Sequence, residues 1–469
     1  MSSVSALDSL LSSASSSASS INLSQILEAA LGASSEGIDV NAAVSSAITA
    51  AEAPEQTWES QENTLQNQAS AMNQMQTNAT NLDNDMQSLN NLTGPLSQLT
   101  VTSSNSSIAT ASAASGTTTG NYEVEVNDLA TTASWTSGTF AGSSTALPAG
   151  SFTITTGGGT ATTITTDGTD TLSDVASEIN SDDLGVTASV VTDATGSRLA
   201  IVANSSGSTA NFTIGSSGSS GFGFTQAVTG ANASLTVDGI SISSASNTVT
   251  GVIPGLTLNL LSADPGAYVS LGVSPDMSQA ATAINQFVSD YNTLLTALNS
   301  QFTDTGSGEG VLATDPNVRN LQSDMEGAMG YTSTLSGSTT SLASMGVTVN
   351  SDGTLSVDSA TLDSALQNNF SGVQNFFQGA ALNGFANSLD QQLTNFISPA
   401  DGAFTVDLQS IGTQESGLQT DIGNFQSNVI APLQKQLQSE YSQAEIELQQ
   451  LPNEMKQIDE ELGMNNSSS

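Results

Sequence analysis

The chain has 469 residues, enough for about three domains at roughly 150 residues each, and it sets 44 acidic residues against four basic ones (Arg198, Arg319, Lys435 and Lys456), a formal charge of −40. Cysteine and histidine are both absent, which removes disulfides, thiol nucleophiles, nearly all zinc sites and the usual acid–base group near neutral pH. A phosphate backbone or an anionic lipid surface would repel such a chain, so neither nucleic acid nor membrane is expected as a partner, and no stretch approaches the ~20 apolar residues of a bilayer span.

Residues 1–36 are rich in Ser and Ala, with an apolar cluster at Ile21, Leu23, Ile26, Leu27 and Leu31; this arm is expected to be disordered when free. The N-terminus has neither a basic n-region nor a solid apolar h-region, so it does not read as a cleaved secretory signal. From Trp58 the helical period is strong. Trp58, Leu65, Met72, Ala79 and Met86 recur every seven residues, with Met75, Leu82, Leu89 and Leu96 interleaved, an a/d seam that needs a partner helix. Gly94-Pro95 is expected to close that helix.

Between about residues 101 and 272 the texture turns to Thr, Ser, Gly and Val in alternation, as in Tyr122–Val126, Ser151–Thr155, Val186–Val190, Leu199–Val202, Ser234–Val237 and Leu256–Leu260. These predict short, half-buried antiparallel strands, with one helix over Thr171–Asn180. Asp276 with Gln279 then reads as a helix N-terminus, followed by Ile284, Phe287, Val288, Tyr291, Leu294, Leu295 and Leu298 on one face. A further helix is expected from about Asp315, and Asp352-Gly353 predicts a tight turn between two strands. A second long seam runs from Ile411 through Leu418, Ile422, Phe425, Val429, Leu433, Leu437, Tyr441, Ala444, Leu448, Leu451, Met455 and Ile458 to Leu462. Pro432 and Pro452 are each expected to kink or restart it.

The fold class that follows is multidomain α+β, with long N- and C-terminal helices forming a coiled or bundled leg and antiparallel β-rich head domains inserted between them. Residues 37–57 with 435–469 are expected to form a terminal stem and 58–100 with 274–434 the leg. Residues 101–133 with 230–273 should form an inner head, and 134–229 an outer, variable one. The leg seam is assigned to Trp58, Leu65, Met72, Met75, Leu82, Met86, Leu89, Ile284, Phe287, Tyr291, Leu418 and Phe425. Trp58 and Tyr441 lie on opposing stems and are read as ordinary seam packing in preference to a specific aromatic contact.

No catalytic, cofactor-binding or metal-binding residue stands out, and the chain does not read as an enzyme. The carboxylates Asp182-Asp183, Asp167 with Asp170, and Glu460-Glu461 lack calcium-loop spacing and read as turns and helix surfaces. The glycine runs at Gly157–Gly159 and Gly306–Gly310 lack the Lys and following helix of a phosphate loop.

Particular residues resemble the hook-associated protein 2 family, the filament caps of bacterial flagella. They are Gly37-Ile-Asp-Val40 with Ala51-Glu-Ala-Pro54, Asn121–Ala130, and Ser234–Ile242 with Asn247-Thr-Val249 and Ile253–Leu258. Phe287–Leu294 and Ser341–Val347 with Asp352–Asp358 complete the set. Residues 134–229 match nothing recognisable. The resemblance implies a homo-oligomeric ring of five or six copies at the filament tip, outside the cell, with flagellin, hook–filament junction proteins and a flagellar export chaperone as partners. It also implies export by the flagellar type III system. Ile38, Val40, Val44, Ile48, Leu448, Leu451, Met455, Ile458 and Leu462 are the expected contacts with flagellin or neighbouring copies, since so narrow an apolar stripe does not hold a lone helix; the alternative, of equal weight, is that they pair with each other within one chain. The alternative is an extracellular adhesin or surface-layer protein whose heads bind a surface while the helices oligomerise.

Overall fold

The structure, a computed structural model, describes residues 40–216, 221–304, 308–335 and 339–461. The expected Ser-rich arm, Ile38 and Leu462 lie outside the described residues.

Helix α1 (Val40–Ala51) breaks at Glu52, and α2 (Ala53–Asn90) restarts with Pro54 in its first turn, where the missing N–H costs nothing and the fixed φ is already helical. The helix ends at Asn90, ahead of Gly94-Pro95: Asn91 is extended, and Leu96 sits in a separate 3-10 turn over Pro95–Ser97. The chain then passes through β1 (Leu99–Ser103), β2 (Ala109–Ala113), β3 (Gly120–Asp128), β4 (Thr132–Thr136), β5 (Gly150–Thr156) and β6 (Thr162–Thr166) to α3 (Leu172–Ser181). Thr171 caps α3 reciprocally with Asp174, which satisfies two of its orphan N–H groups.

After α3 come β7 (Val186–Asp193), β8 (Gly196–Ser206), β9 (Phe212–Ser216) and β10 (Thr225–Val228), then β11 (Ala233–Val237), β12 (Ile240–Ser244), β13 (Thr248–Thr250), β14 (Leu256–Leu260) and β15 (Tyr268–Pro275). Two antiparallel sheets, ordered β1-β15-β3-β11-β12 and β13-β14-β2, enclose one core that includes Val124, Val126, Leu235, Val269 and Leu271. Alternation explains the burial, since Glu123, Glu125 and Asn127 point away from that core between buried valines. Sheets β10-β4-β8-β7 and β6-β5-β9 pack with α3 around a separate core that includes Phe152, Leu199, Ile201, Phe212 and Phe222.

The helical part resumes at α4 (Met277–Phe302), where Asp276 Oδ1 accepts the Gln279 N–H at 3.0 Å. Helix α5 (Pro316–Ala328) is capped by Asp315. The hairpin of β16 (Val347–Val349) and β17 (Leu355–Val357) turns at Asp352-Gly353, with Gly353 at φ +83° and Asp352 Oδ1 accepting the Thr354 N–H and hydroxyl. Helices α6 (Ser359–Gln378), α7 (Phe385–Ile397), α8 (Ala403–Phe425) and α9 (Ala431–Glu461) follow. Helix α2 lies against α4, α7 and α8, so the beginning of the chain and its second half share one core. Met72, Met75, Ala79, Leu82, Met86 and Leu89 of α2 meet the buried face of α4 there, and Phe287, Phe376, Phe377 and Phe385 meet at its centre, edge-on except for the stacked Phe376 and Phe385.

The two prolines divide: the helix restarts just ahead of Pro432 as expected, whereas no restart occurs at residue 452. A single π turn over Gln426–Ile430 separates α8 from α9, and the Ala431 N–H donates to Gln426 O. This wide turn comes immediately before Pro432, which has no N–H to offer the ordinary ladder. Helix α9 then continues across residue 452 without a break in helical backbone. No described helix is long and apolar enough to cross a membrane.

Candidate assembly surface on the terminal helices

Beyond the core of the leg, α1 and the start of α9 meet. Ala43, Val44, Ala47 and Ile48 of α1 pack with Trp58, Phe425, Ile430, Leu437 and Tyr441 in a small core of their own. The Trp58 indole meets Phe425 edge-on and has no such ring contact with Tyr441. Trp58 and Phe425, expected in the leg seam, therefore sit in the terminal cluster, and Leu418 is half-buried at its edge. Leu65 is half-buried and belongs to neither core.

Between the two cores the apolar seam gives way to polar pairs that keep α2 and α8 in one antiparallel register. Gln426 Nε2 donates to Glu55 Oε1, Gln419 Nε2 to Glu62 Oε1 at 2.8 Å, Gln66 Nε2 to Glu415 Oε1 at 3.1 Å, and Gln76 Nε2 to Thr405 Oγ1 at 3.1 Å. The exposed pairs, Gln419–Glu62 and Gln66–Glu415, contribute little energy each, whereas Gln426–Glu55 and Gln76–Thr405 are part-buried; together they specify the register.

The expected contact residues divide. Val44 and Ile48 are 4% and 9% exposed and are already covered within the chain by α9, so they are not open to a partner as expected. Leu451, Met455 and Ile458 are 46%, 61% and 53% exposed, and Ile446, which the seam reading omitted, is 55% exposed. It lies two residues from the seam positions 444 and 448, off the heptad, which is why periodicity passed over it. Val40 and Leu448 lie on α1 and α9 respectively.

The acidic pairs weighed in the sequence have local roles. Asp167 Oδ1 accepts the Thr169 N–H and hydroxyl, and Asp170 Oδ2 accepts the Asp167 N–H at 2.9 Å. The Thr169 hydroxyl, with its backbone N–H, holds the Asp167 carboxyl below the usual carboxylate range. Asp182 is the C-cap of α3, Asp183 has a positive φ of 48°, and Glu460 and Glu461 lie in the last turn of α9. No group of three or more carboxylates among the described residues is arranged to hold a metal ion.

Sequence reasoning missed two other constellations. The first is a set of asparagines whose side-chain amides pair with one backbone peptide as a strand neighbour would. Asn292 bridges Leu355, Asn180 bridges Ala188, Asn247 bridges Ala130 and Asn211 bridges Gly230, each donating to the C=O and accepting from the N–H at 2.7–3.0 Å. The second is a pair of carboxyl contacts inside the leg, Asp83 with Asp390 and Asp85 with Asp290. Burial, followed by the partner carboxyl, raises both Asp83 and Asp85 to about 7.

Comparison with known proteins shows what this architecture is. The profile described as "Flagellar hook-associated protein 2 N-terminus" matches residues 36–133, and that described as "Flagellar hook-associated protein 2 C-terminus" matches residues 230–457. The chain belongs to this family. It is 36% identical over 156 residues to the B-type flagellar hook-associated protein 2 of Pseudomonas aeruginosa, an alignment that covers 32% of this chain and 33% of that protein. To the A-type protein from the same species it is 28% identical over 331 residues, covering 62% of this chain and 68% of the other. The match thus spans a third of the first relative's length and about two thirds of the second's. Among solved structures, the D1-D2-D3 domains of the flagellar cap protein FliD from Escherichia coli superpose with a TM-score of 0.59 at 27% identity, covering 73% of this chain and 99% of that one. The antiparallel heads set between terminal helices are therefore the hook-associated protein 2 arrangement. The outer segment is not without a match after all: residues 151–205 fit the profile "Flagellin hook IN motif". Its signal is carried by strands β5 to β8 and α3, whose Thr/Ser-rich alternation is too common to be recognised by eye.

Proposed function

We propose that this chain is the structural cap at the distal tip of a bacterial flagellar filament, where it retains emerging flagellin and promotes its polymerisation without bond chemistry. Membership of the hook-associated protein 2 family supports this reading. The observation that carries it is the stem: α1 and the start of α9 close on each other, while Leu451, Met455 and Ile458 beyond them stay exposed along one face of α9. A thin stripe on a polar helix suits weak contacts that are remade as each flagellin is added, better than a large hydrophobic interface would.

On this reading residues 37–57 with 435–469 form the stem that touches flagellin or neighbouring copies, and 58–100 with 274–434 the leg. Residues 101–133 with 230–273 form the inner head and 134–229 the outer head. Five or six copies would close a ring outside the cell, after export through the flagellar type III system. Junction proteins at the hook and an export chaperone would be met on the way. The adhesin alternative has no specific observation in its favour. Electron microscopy of filament tips with and without this protein tests the proposal: without it, tips should lack a cap and flagellin monomer should appear in the medium. Capped, full-length filaments in its absence would refute it.

A further inference from the structure

Two acids of α2 face acids of other helices in the body of the leg. Asp83 is 6% exposed, its carboxyl meets that of Asp390 on α7, and its Oδ1 is buried with no hydrogen-bond donor. Asp85, half a turn on, meets Asp290 on α4, and its Oδ2 is likewise buried without a donor. Each pair has one glutamine at its outer edge: Gln87 Nε2 donates to Asp83 Oδ2 at 2.8 Å, and Gln286 Nε2 to Asp290 Oδ2 at 2.9 Å.

No cation compensates these groups. The four basic residues are Arg198, Arg319, Lys435 and Lys456, so α2, α4, α6, α7 and α8 carry none. Arg319 on α5 is engaged elsewhere, donating to Ala313 O and lying over Phe302. From α4 the only other titratable group is the Tyr291 hydroxyl, which donates to Gly353 O; α7 offers only Asp390. Helix α6 has Asp363, and α8 has Asp407, Glu415 and Asp421; of these, Asp407 accepts from Asn317 and Glu415 from Gln66. Two carboxylates in contact repel, whereas a carboxyl and a carboxylate in the same contact share a strong hydrogen bond.

We propose that Asp83–Asp390 and Asp85–Asp290 are proton-shared clamps that fasten α2 to α7 and α4, so that the leg is tightest in acidic surroundings and loosens as the medium becomes neutral to alkaline. The sign follows from linkage. Asp83 and Asp85 hold protons in the folded chain above the pH at which the unfolded chain, with an ordinary carboxyl value of 3.8, has released them. Their stabilisation is therefore full below that ordinary value and is lost as pH rises through about 7.

The test is thermal unfolding of the full chain across pH 4 to 8.5, for the wild type, for D83N/D85N, and for D390N/D290N, which alters the same contacts from the other side. The control E59Q/D324N removes two exposed acids of the leg and so changes net charge equally. The expected result is a wild-type Tm that falls by several degrees over the upper half of the range, a smaller fall in either clamp variant, and a wild-type fall in the control. An infrared band of protonated carboxyl should persist in the wild type near pH 6 and weaken in the clamp variants. Equal slopes in all four proteins, or flattening by the control alone, would overturn the proposal. So would calcium or magnesium restoring the Tm at pH 8.5 in the wild type but not in D83N/D85N, since the contacts would then be cation sites.

Discussion

Trp58 and Phe425 meet edge to face, with ring centroids 5.4 Å apart and planes at 85°, and this contact joins the beginning of α2 to the end of α8. The geometry is the favoured one for an aromatic pair, and both rings are buried among α1 and α9 side chains. Because the neighbouring stretch of α2 and α8 is held by polar pairs, the terminal cluster has few other apolar contacts to rely on. Trp58→Ala should cost roughly 3 kcal/mol of stem stability, in the range for removing a buried aromatic. Hydrogen exchange should show faster opening of α1 and α9, with the core of the leg and both heads unchanged.

Asn292 locks the β16–β17 hairpin onto α4, since its amide donates to Leu355 O at 2.8 Å and accepts the Leu355 N–H at 2.7 Å. Asn292→Ala leaves both backbone groups unsatisfied beside a buried leucine, at a cost of about 1–3 kcal/mol. Thr293→Ala is the matched control: Thr293 bonds only within its own helix, to Ser289 O, and its loss should be nearly neutral. Denaturant midpoints of the two variants measure the difference.

The junction between the heads is braced from both sides. Asn247, just before β13, holds Ala130; Asn211, just before β9, holds Gly230; and Thr131 pairs with Ala231 between them. Asn211→Ala with Asn247→Ala should widen the distribution of angles between the heads in small-angle scattering. The melting of each head should change little, because neither asparagine belongs to the apolar cores.

How much of this was legible follows from what periodicity encodes. Met72 to Leu89 and Ile284 to Leu298 announce buried helix faces because every third or fourth residue is apolar, and they are buried as expected. Strands such as Tyr122–Val126 were visible through alternation alone. The polar devices were not. Asn292 or Asn247 looks like any asparagine in an Asn-rich chain, since its partner lies 63 or 117 residues away. Asp83 was hidden beside Leu82, off the apolar seam, its partner being more than 300 residues distant. Ile446 fell out of the seam for the converse reason, as an apolar residue off the heptad.

The central claim is that the ends of the chain, beyond the core of the leg, carry the capping activity. The most direct test is a strain whose only copy ends after Tyr441, removing Ile446, Leu451, Met455 and Ile458 while keeping the Trp58–Phe425 contact. The account predicts a protein whose leg and heads unfold at the wild-type temperature, filaments that fail to grow, and flagellin lost to the medium. Filaments of normal length from that strain would contradict it.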